Sequence, residues 1–245
     1  MESNNNNKYN VKEIEIEKIK CHIYFYDNIK INKIIYWIEN FTLKAPDVLK
    51  TLTTSKNYFI VGISIEDWNT NLTPWYCPKL FGKKNQDFKG EGQSTYDWLL
   101  NYCIPKIENE FSFCFEKDRI KRYIGGYSLS ALFSLWVFYS DKNKNEKIFD
   151  GVCACSPSLW YKKWDNYMKN RGAPGGNIIY LSLGDKEGIT KNETFKKMRS
   201  GMDKMIEIIK NDKGIIKYFY EENKGGHYDD ADLRMAKGFK WIIEN

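Results

Sequence analysis

Histidine is scarce in this chain: only His22 and His227 occur in 245 residues. Any chemistry that needs an imidazole base must draw on one of these two. The six cysteines, at 21, 77, 103, 114, 153 and 155, include no C-x-x-C pair and no zinc spacing with a histidine. They read as free thiols buried in a reducing compartment, with Cys153 and Cys155 on one face of a strand. No metal site is expected. The formal charge is +6, yet no block of five or six like charges appears, so nothing marks a nucleic-acid surface. No apolar run approaches the roughly 18 residues of a spanning helix. Met1 to Asn7 has neither a basic nor an apolar region of the signal-peptide kind, so a soluble cytoplasmic protein without a membrane partner is expected. Those first seven residues are expected to fray.

What is present suits one large folded unit. Hydrophobic residues make up 42%, aromatics 16% and charged residues 29%, enough for a substantial core. Residues 1–245 read as a single domain in which short β-branched or aromatic runs alternate with segments of helical apolar spacing. Ile14–Asp27 alternates as an edge strand or hairpin does, while Lys33–Ile38 and Tyr58–Ile65 read as strands buried on both faces. Asp47–Thr53 reads as a short helix. The stretch from Glu66 to Gln93 is irregular, but its aromatics argue for order. Ser94–Glu110 reads as a helix capped by Ser94 and kinked at Pro105.

Further strands are expected at Arg119–Tyr127, Phe149–Ser156, Asn177–Leu183 and Ile215–Tyr220, and helices at Leu129–Tyr139, Thr194–Lys210 and Asp230–Ile243. This alternation predicts a mostly parallel central sheet with helices on both faces. In such sheets ligands bind at the carboxyl ends of the strands.

One strand–helix junction stands out. Tyr123 begins YIGGYSLSALFSLW, in which an apolar strand enters Gly126-Tyr127-Ser128-Leu129-Ser130 and an apolar helix leaves it. That context suits a nucleophile elbow, with Ser130 where the last glycine of G-x-S-x-G usually stands. The turn would present the Ser128 hydroxyl and aim the Leu129 N–H at the same point. A serine needs a base. His22 lies inside the alternating early strand. His227 follows the last strand, in Lys224-Gly225-Gly226-His227, so it is the expected base. The acid belongs after the preceding strand, where Gly184-Asp185-Lys186-Glu187 offers two carboxylates. Glu187 is favoured for its reach, with Asp185 the alternative. A second oxyanion donor is expected after Lys33–Ile38, near Glu39, Asn40 or Phe41.

The segments GGYSLSALFSLW, FDGVCACSPSLWY, IYLSLGDKE and GGHYDDADLR, in this order, resemble the esterase family that includes enterochelin esterase-like and esterase D-like hydrolases. The resemblance spans about residues 20–245. It implies the α/β-hydrolase fold, no cofactor, and hydrolysis of a carboxylic ester or thioester through an acyl-enzyme. It carries over Ser128 as nucleophile, His227 as base and Glu187 or Asp185 as acid. The loop from Asp67 to Trp75, including Trp68, Asn69 and Trp75, would line the substrate pocket. Ser156, Pro157, Ser158 and Trp160 would border it. The chain departs from the pattern at Ser130, lacks the HG oxyanion signature, and reads as one strand short ahead of Lys33. The same three residues would equally serve an acyltransferase or a peptidase, and a non-catalytic ligand-binding protein on this scaffold is a third reading. The expected partner is a small-molecule ester.

Overall fold

The computed structural model describes residues 7–39, 44–79, 86–116, 120–140 and 147–245. The alternating start is a hairpin of two full strands, β1 (Tyr9–Ile16) and β2 (Ile19–Tyr26). Glu17 and Lys18 join them, both at positive φ (49° and 68°), as a two-residue turn between twisted strands demands. On β2 the apolar residues Cys21, Ile23 and Phe25 alternate inward. The sheet is therefore not short ahead of Lys33: two strands precede it.

β3 (Lys33–Glu39) and β4 (Phe59–Ser64) follow, with α1 (Ala45–Leu52) between them. The helix starts earlier than the pattern suggested, because Pro46 fits the first turn, where no N–H is needed. After β4 come α2 (Trp68–Asn71), α3 (Gly92–Trp98) and α4 (Ile104–Glu110). α3 begins at Gly92 with Glu91 as its flanking residue, so Ser94 is inside the helix and not its cap. The expected irregularity near Pro105 is a π turn over Leu99–Cys103. Pro105 has no N–H and its ring displaces the carbonyl four residues back, so the helix widens there.

The remaining elements alternate: β5 (Lys121–Tyr127), α5 (Leu129–Ser140), β6 (Gly151–Cys155), α6 (Trp164–Lys169), β7 (Asn177–Gly184), α7 (Lys197–Asn211), β8 (Ile215–Asn223) and α8 (Ala231–Glu244). The eight strands lie in the order β1-β2-β4-β3-β5-β6-β7-β8. β1, β2 and β4 pair antiparallel; every pairing from β4 through β3 to β8 is parallel.

Helices cover both faces. α5 is buried along its whole length and packs with α3, α4 and the methionines of α7 on one side of the sheet, as a helix apolar all round must. α1 and α8 cover the other side, against Trp37, Tyr123, Cys153, Cys155 and Tyr180. All six cysteines are free and buried. Lys33 Nζ donates to the carbonyls of Ile242 and Ile243 at 3.2 and 2.7 Å. That satisfies the open C-terminal end of α8 and pins the helix to the sheet.

Candidate active site

The carboxyl ends of β5, β6, β7 and β8 converge on one point. At the end of β5, Ser128 adopts a left-handed conformation, φ 62°, which costs a non-glycine residue about 1–3 kcal/mol. Three backbone bonds hold it there. Its N–H donates to the Cys155 carbonyl at 3.0 Å, and its carbonyl accepts from Leu132 and Ser158, each at 3.1 Å. Gly126 permits the tight turn, since a Cβ there would sit 2.5 Å from the Ser130 carbonyl carbon and from Ser130 Oγ.

Ser130, the departure from the usual glycine, is fully buried and closes the turn: its hydroxyl accepts from Tyr127 N–H and donates to the Tyr127 carbonyl, both at 2.9 Å. Leu129 opens α5, and the first N–H groups of a helix lack intrahelical partners.

His227 Nε2 lies 2.8 Å from Ser128 Oγ, and His227 Nδ1 lies 2.8 Å from Glu187 Oε2. The structure thus brings Ser128, His227 and Glu187 into one hydrogen-bonded chain. Asp185 is elsewhere: it is exposed, and its Oδ1 accepts from Gly225 N–H at 2.8 Å, fixing the glycine turn that carries His227. His22 pairs with Glu13 on the hairpin at 3.0 Å, away from this point.

Glu187 Oε1, the oxygen that does not face His227, accepts from Ser156 Oγ at 2.6 Å, Gly184 N–H at 2.8 Å and Arg234 Nη1 at 3.0 Å. Burial pushes this carboxyl up. The hydrogen bonds from His227, Ser156 and Gly184, with the His227 charge, outweigh it, and the net shift is below the ordinary glutamate range. Tyr127 donates its hydroxyl proton to the His227 carbonyl at 2.7 Å and accepts from Arg234 at 3.1 Å. Burial pushes the Tyr127 phenol up to about 12, so it stays protonated as a donor at neutral pH.

Arg234 was not singled out by sequence reasoning. Its signal was there: buried Gly238 and Ile242 follow it at steps of four, which puts an arginine on the apolar face of α8. Ser156 was expected at the border of the site. It lies beneath it, at φ 46°, holding Glu187.

Above Ser128 opens a cavity of about 540 Å³. Trp68, Asn69, Phe88, Leu129, Ser158 and Trp160 are among its walls, with Ile189, Phe195 and Tyr228 at an apolar mouth. Trp68, Asn69 and Trp160 thus line a cavity that also borders Ser128. Trp75 is not. Its indole N–H donates to the Lys162 carbonyl at 2.9 Å, and its ring packs on Tyr161, Trp164 and Tyr167. It fastens the long loop to the segment after β6 through that hydrogen bond and those ring contacts. Of the positions expected to give the second oxyanion donor, Glu39 is the buried last residue of β3, and Asn40 and Phe41 lie outside the described residues, as do residues 1–6. Among the described residues no group of three or more His, Cys, Asp or Glu is placed to hold a metal ion, and no helix is long and apolar enough to cross a membrane.

The chain is similar to several solved structures. The siderophore hydrolase EstB from Aspergillus nidulans is 15% identical, with TM-score 0.72 over 96% of this chain and 94% of that one. An IroE-like serine hydrolase from Shewanella oneidensis is 14% identical, with TM-score 0.74 over 97% of this chain and 80% of that one. The S-formylglutathione hydrolase FrmB from Staphylococcus aureus is 10% identical, with TM-score 0.59 over 96% of each. No family model matches the chain, and no curated protein does. Together with the strand order, these likenesses show that the chain has the α/β-hydrolase fold.

Proposed function

We propose that the protein is a serine esterase that hydrolyses a carboxylic ester or thioester through an acyl-enzyme on Ser128. The observation that carries this reading is the continuous chain Ser128 Oγ–His227 Nε2 and His227 Nδ1–Glu187 Oε2, each link 2.8 Å. The names of the similar structures, a siderophore hydrolase, a serine hydrolase and a thioester hydrolase, support it.

Glu187 is ionised at neutral pH and accepts a hydrogen bond from Nδ1–H, which keeps that proton on Nδ1 and leaves the Nε2 lone pair facing the Ser128 hydroxyl. As Ser128 Oγ attacks the substrate carbonyl carbon, its proton passes to Nε2. The developing oxyanion meets the Leu129 N–H at the start of α5. Glu187 stabilises the imidazolium. When the tetrahedral species collapses, the bond to the alcohol or thiol breaks, and Nε2 returns the proton to that leaving group. A water then repeats the sequence on the acyl-Ser128 ester: His227 takes its proton, the acid leaves, and Ser128 regains its hydrogen.

The test is hydrolysis of short p-nitrophenyl esters by wild type and Ser128→Ala. Removal of the nucleophile from such a unit lowers kcat by about 10⁴- to 10⁶-fold. Wild-type turnover by Ser128→Ala would refute the reading.

A further inference from the structure

A second depression adjoins the cavity and shares Trp160 with it. Its volume is about 450 Å³, and Lys162, Lys163, Lys197 and Lys204 are in its walls. Lysine is common on this surface, so number alone means little. The arrangement is what matters. Gly201 lets α7 lie directly on the segment after β6: a Cβ there would be 3.0 Å from Leu159 Cβ and 3.3 Å from the Leu159 carbonyl oxygen. Residues 197, 201 and 204 share one face of a helix. That close approach brings Lys197 and Lys204 of α7 into the walls of the same groove as Lys162 and Lys163.

The one carboxylate in these walls, Asp165, is bound to Lys204 at 2.6 Å. Lys162, Lys163 and Lys197 form no ion pair among the described residues. Lys162, Lys163 and Lys197 are exposed in the same groove, where an anion would meet their positive charge from both the α7 side and the segment after β6.

We propose that the groove binds the phosphates of the substrate's leaving group, so that the preferred substrate is an ester or thioester of a phosphate-bearing alcohol or thiol. This rests on the esterase reading of Ser128. The acyl group occupies the apolar cavity beside Ser128, and the leaving group extends past Trp160, which lines both the cavity and the groove. Ser128 Oγ forms the bond to the acyl carbon, the bond to the leaving oxygen or sulfur breaks, and that atom takes its proton from His227. The released alcohol or thiol keeps its phosphates, which lysine holds as point charges.

Steady-state hydrolysis of three butyryl compounds tests this. Butyryl-coenzyme A carries phosphates, butyryl-N-acetylcysteamine has the same thioester bond without them, and p-nitrophenyl butyrate reports Ser128 chemistry in either case. The wild type is expected to show a kcat/KM at least tenfold higher for the coenzyme A ester than for the N-acetylcysteamine ester at low salt. That ratio should collapse at about 0.5 M NaCl, where charges are screened within a few ångströms. The triple variant Lys162→Glu, Lys163→Glu, Lys197→Glu should bring the ratio near one while still turning over p-nitrophenyl butyrate, which shows that it is folded. Inhibition by tripolyphosphate, competitive with the coenzyme A ester and weaker in the variant, supports a soluble phosphate ligand. Binding of phosphatidylglycerol vesicles with no tripolyphosphate inhibition assigns the groove to a lipid surface and overturns the proposal. A ratio near one in the wild type, or a ratio unchanged in the variant, also overturns it while leaving the esterase reading intact. p-Nitrophenyl butyrate turnover that survives Ser128→Ala refutes the esterase reading and the groove with it.

Discussion

Arg234 and Glu187 form an ion pair at 3.0 Å in which each side chain is 1% exposed. The same guanidinium reaches the turn that carries His227, since Nη2 donates to the carbonyls of Lys224 and Gly226 at 3.1 and 2.9 Å. One arginine on α8 therefore ties the carboxylate of the β7 loop to the loop that carries His227. Breaking a buried pair by removing one partner costs about 3–5 kcal/mol, because the other charge is left uncompensated.

Arg234→Ala is expected to lose stability of that order in denaturant unfolding. Arg234→Lys keeps the charge but lacks the planar fork that meets several acceptors at once. It should recover much of the stability, yet show a lower kcat on p-nitrophenyl esters with KM little changed, because the acid and the base are no longer held in register. A Lys variant with wild-type kcat would show that Arg234 serves the fold alone.

Glu187 should leave its mark on the pH dependence of stability. Its carboxyl titrates below the unfolded value of about 4.3. A group with a depressed folded pKa contributes stability that is fully present above the unfolded value and is lost as pH falls through the folded one. Wild-type unfolding free energy should thus decline below about pH 4 more steeply than that of Glu187→Gln, which has no such proton to bind. Parallel curves would contradict the assignment.

The two carboxylates after β7 should separate in kinetics. Glu187→Gln is expected to lower kcat by about 10⁴-fold, the scale seen when the acid of a catalytic triad is neutralised. Asp185→Ala removes only the acceptor of the Gly225 N–H, and should stay within about tenfold of wild type. The reverse ranking on the same ester would move the acid to Asp185.

Ser130→Gly restores the commoner elbow pattern, and a motif comparison alone would expect it to be harmless. The structure gives the opposite expectation. The Ser130 hydroxyl satisfies both the N–H and the carbonyl of Tyr127 inside the protein, and a buried donor left unpaired costs about 1–3 kcal/mol. Ser130→Gly should be destabilised by that amount in chemical unfolding, and an unchanged midpoint would contradict it.

Much of this arrangement is legible in the amino-acid sequence. The β5–Ser128–α5 junction was readable because strand, glycine, serine and buried helix follow in the order their packing requires. The placement of His227 beside Ser128 was readable because the chain has only two histidines. Other features were invisible for physical reasons. Trp75 belongs to the right loop, but whether a tryptophan faces a cavity or an aromatic cluster depends on partners distant in sequence, here Lys162 and Trp164. Glu187 and Asp185 differ by two positions, and only the hydrogen bonds of Gly184 and Gly225 decide which carboxylate turns inward. Pattern located the π turn near Pro105, but not its type.

The most direct test of the account is the site of labelling by a fluorophosphonate, read by mass spectrometry of the digested protein. The wild type should carry one phosphonyl group on Ser128, and Ser128→Ala and His227→Ala, each shown to be folded by circular dichroism, should carry none. Labelling at a residue other than Ser128, or no labelling of the folded wild type, would contradict it.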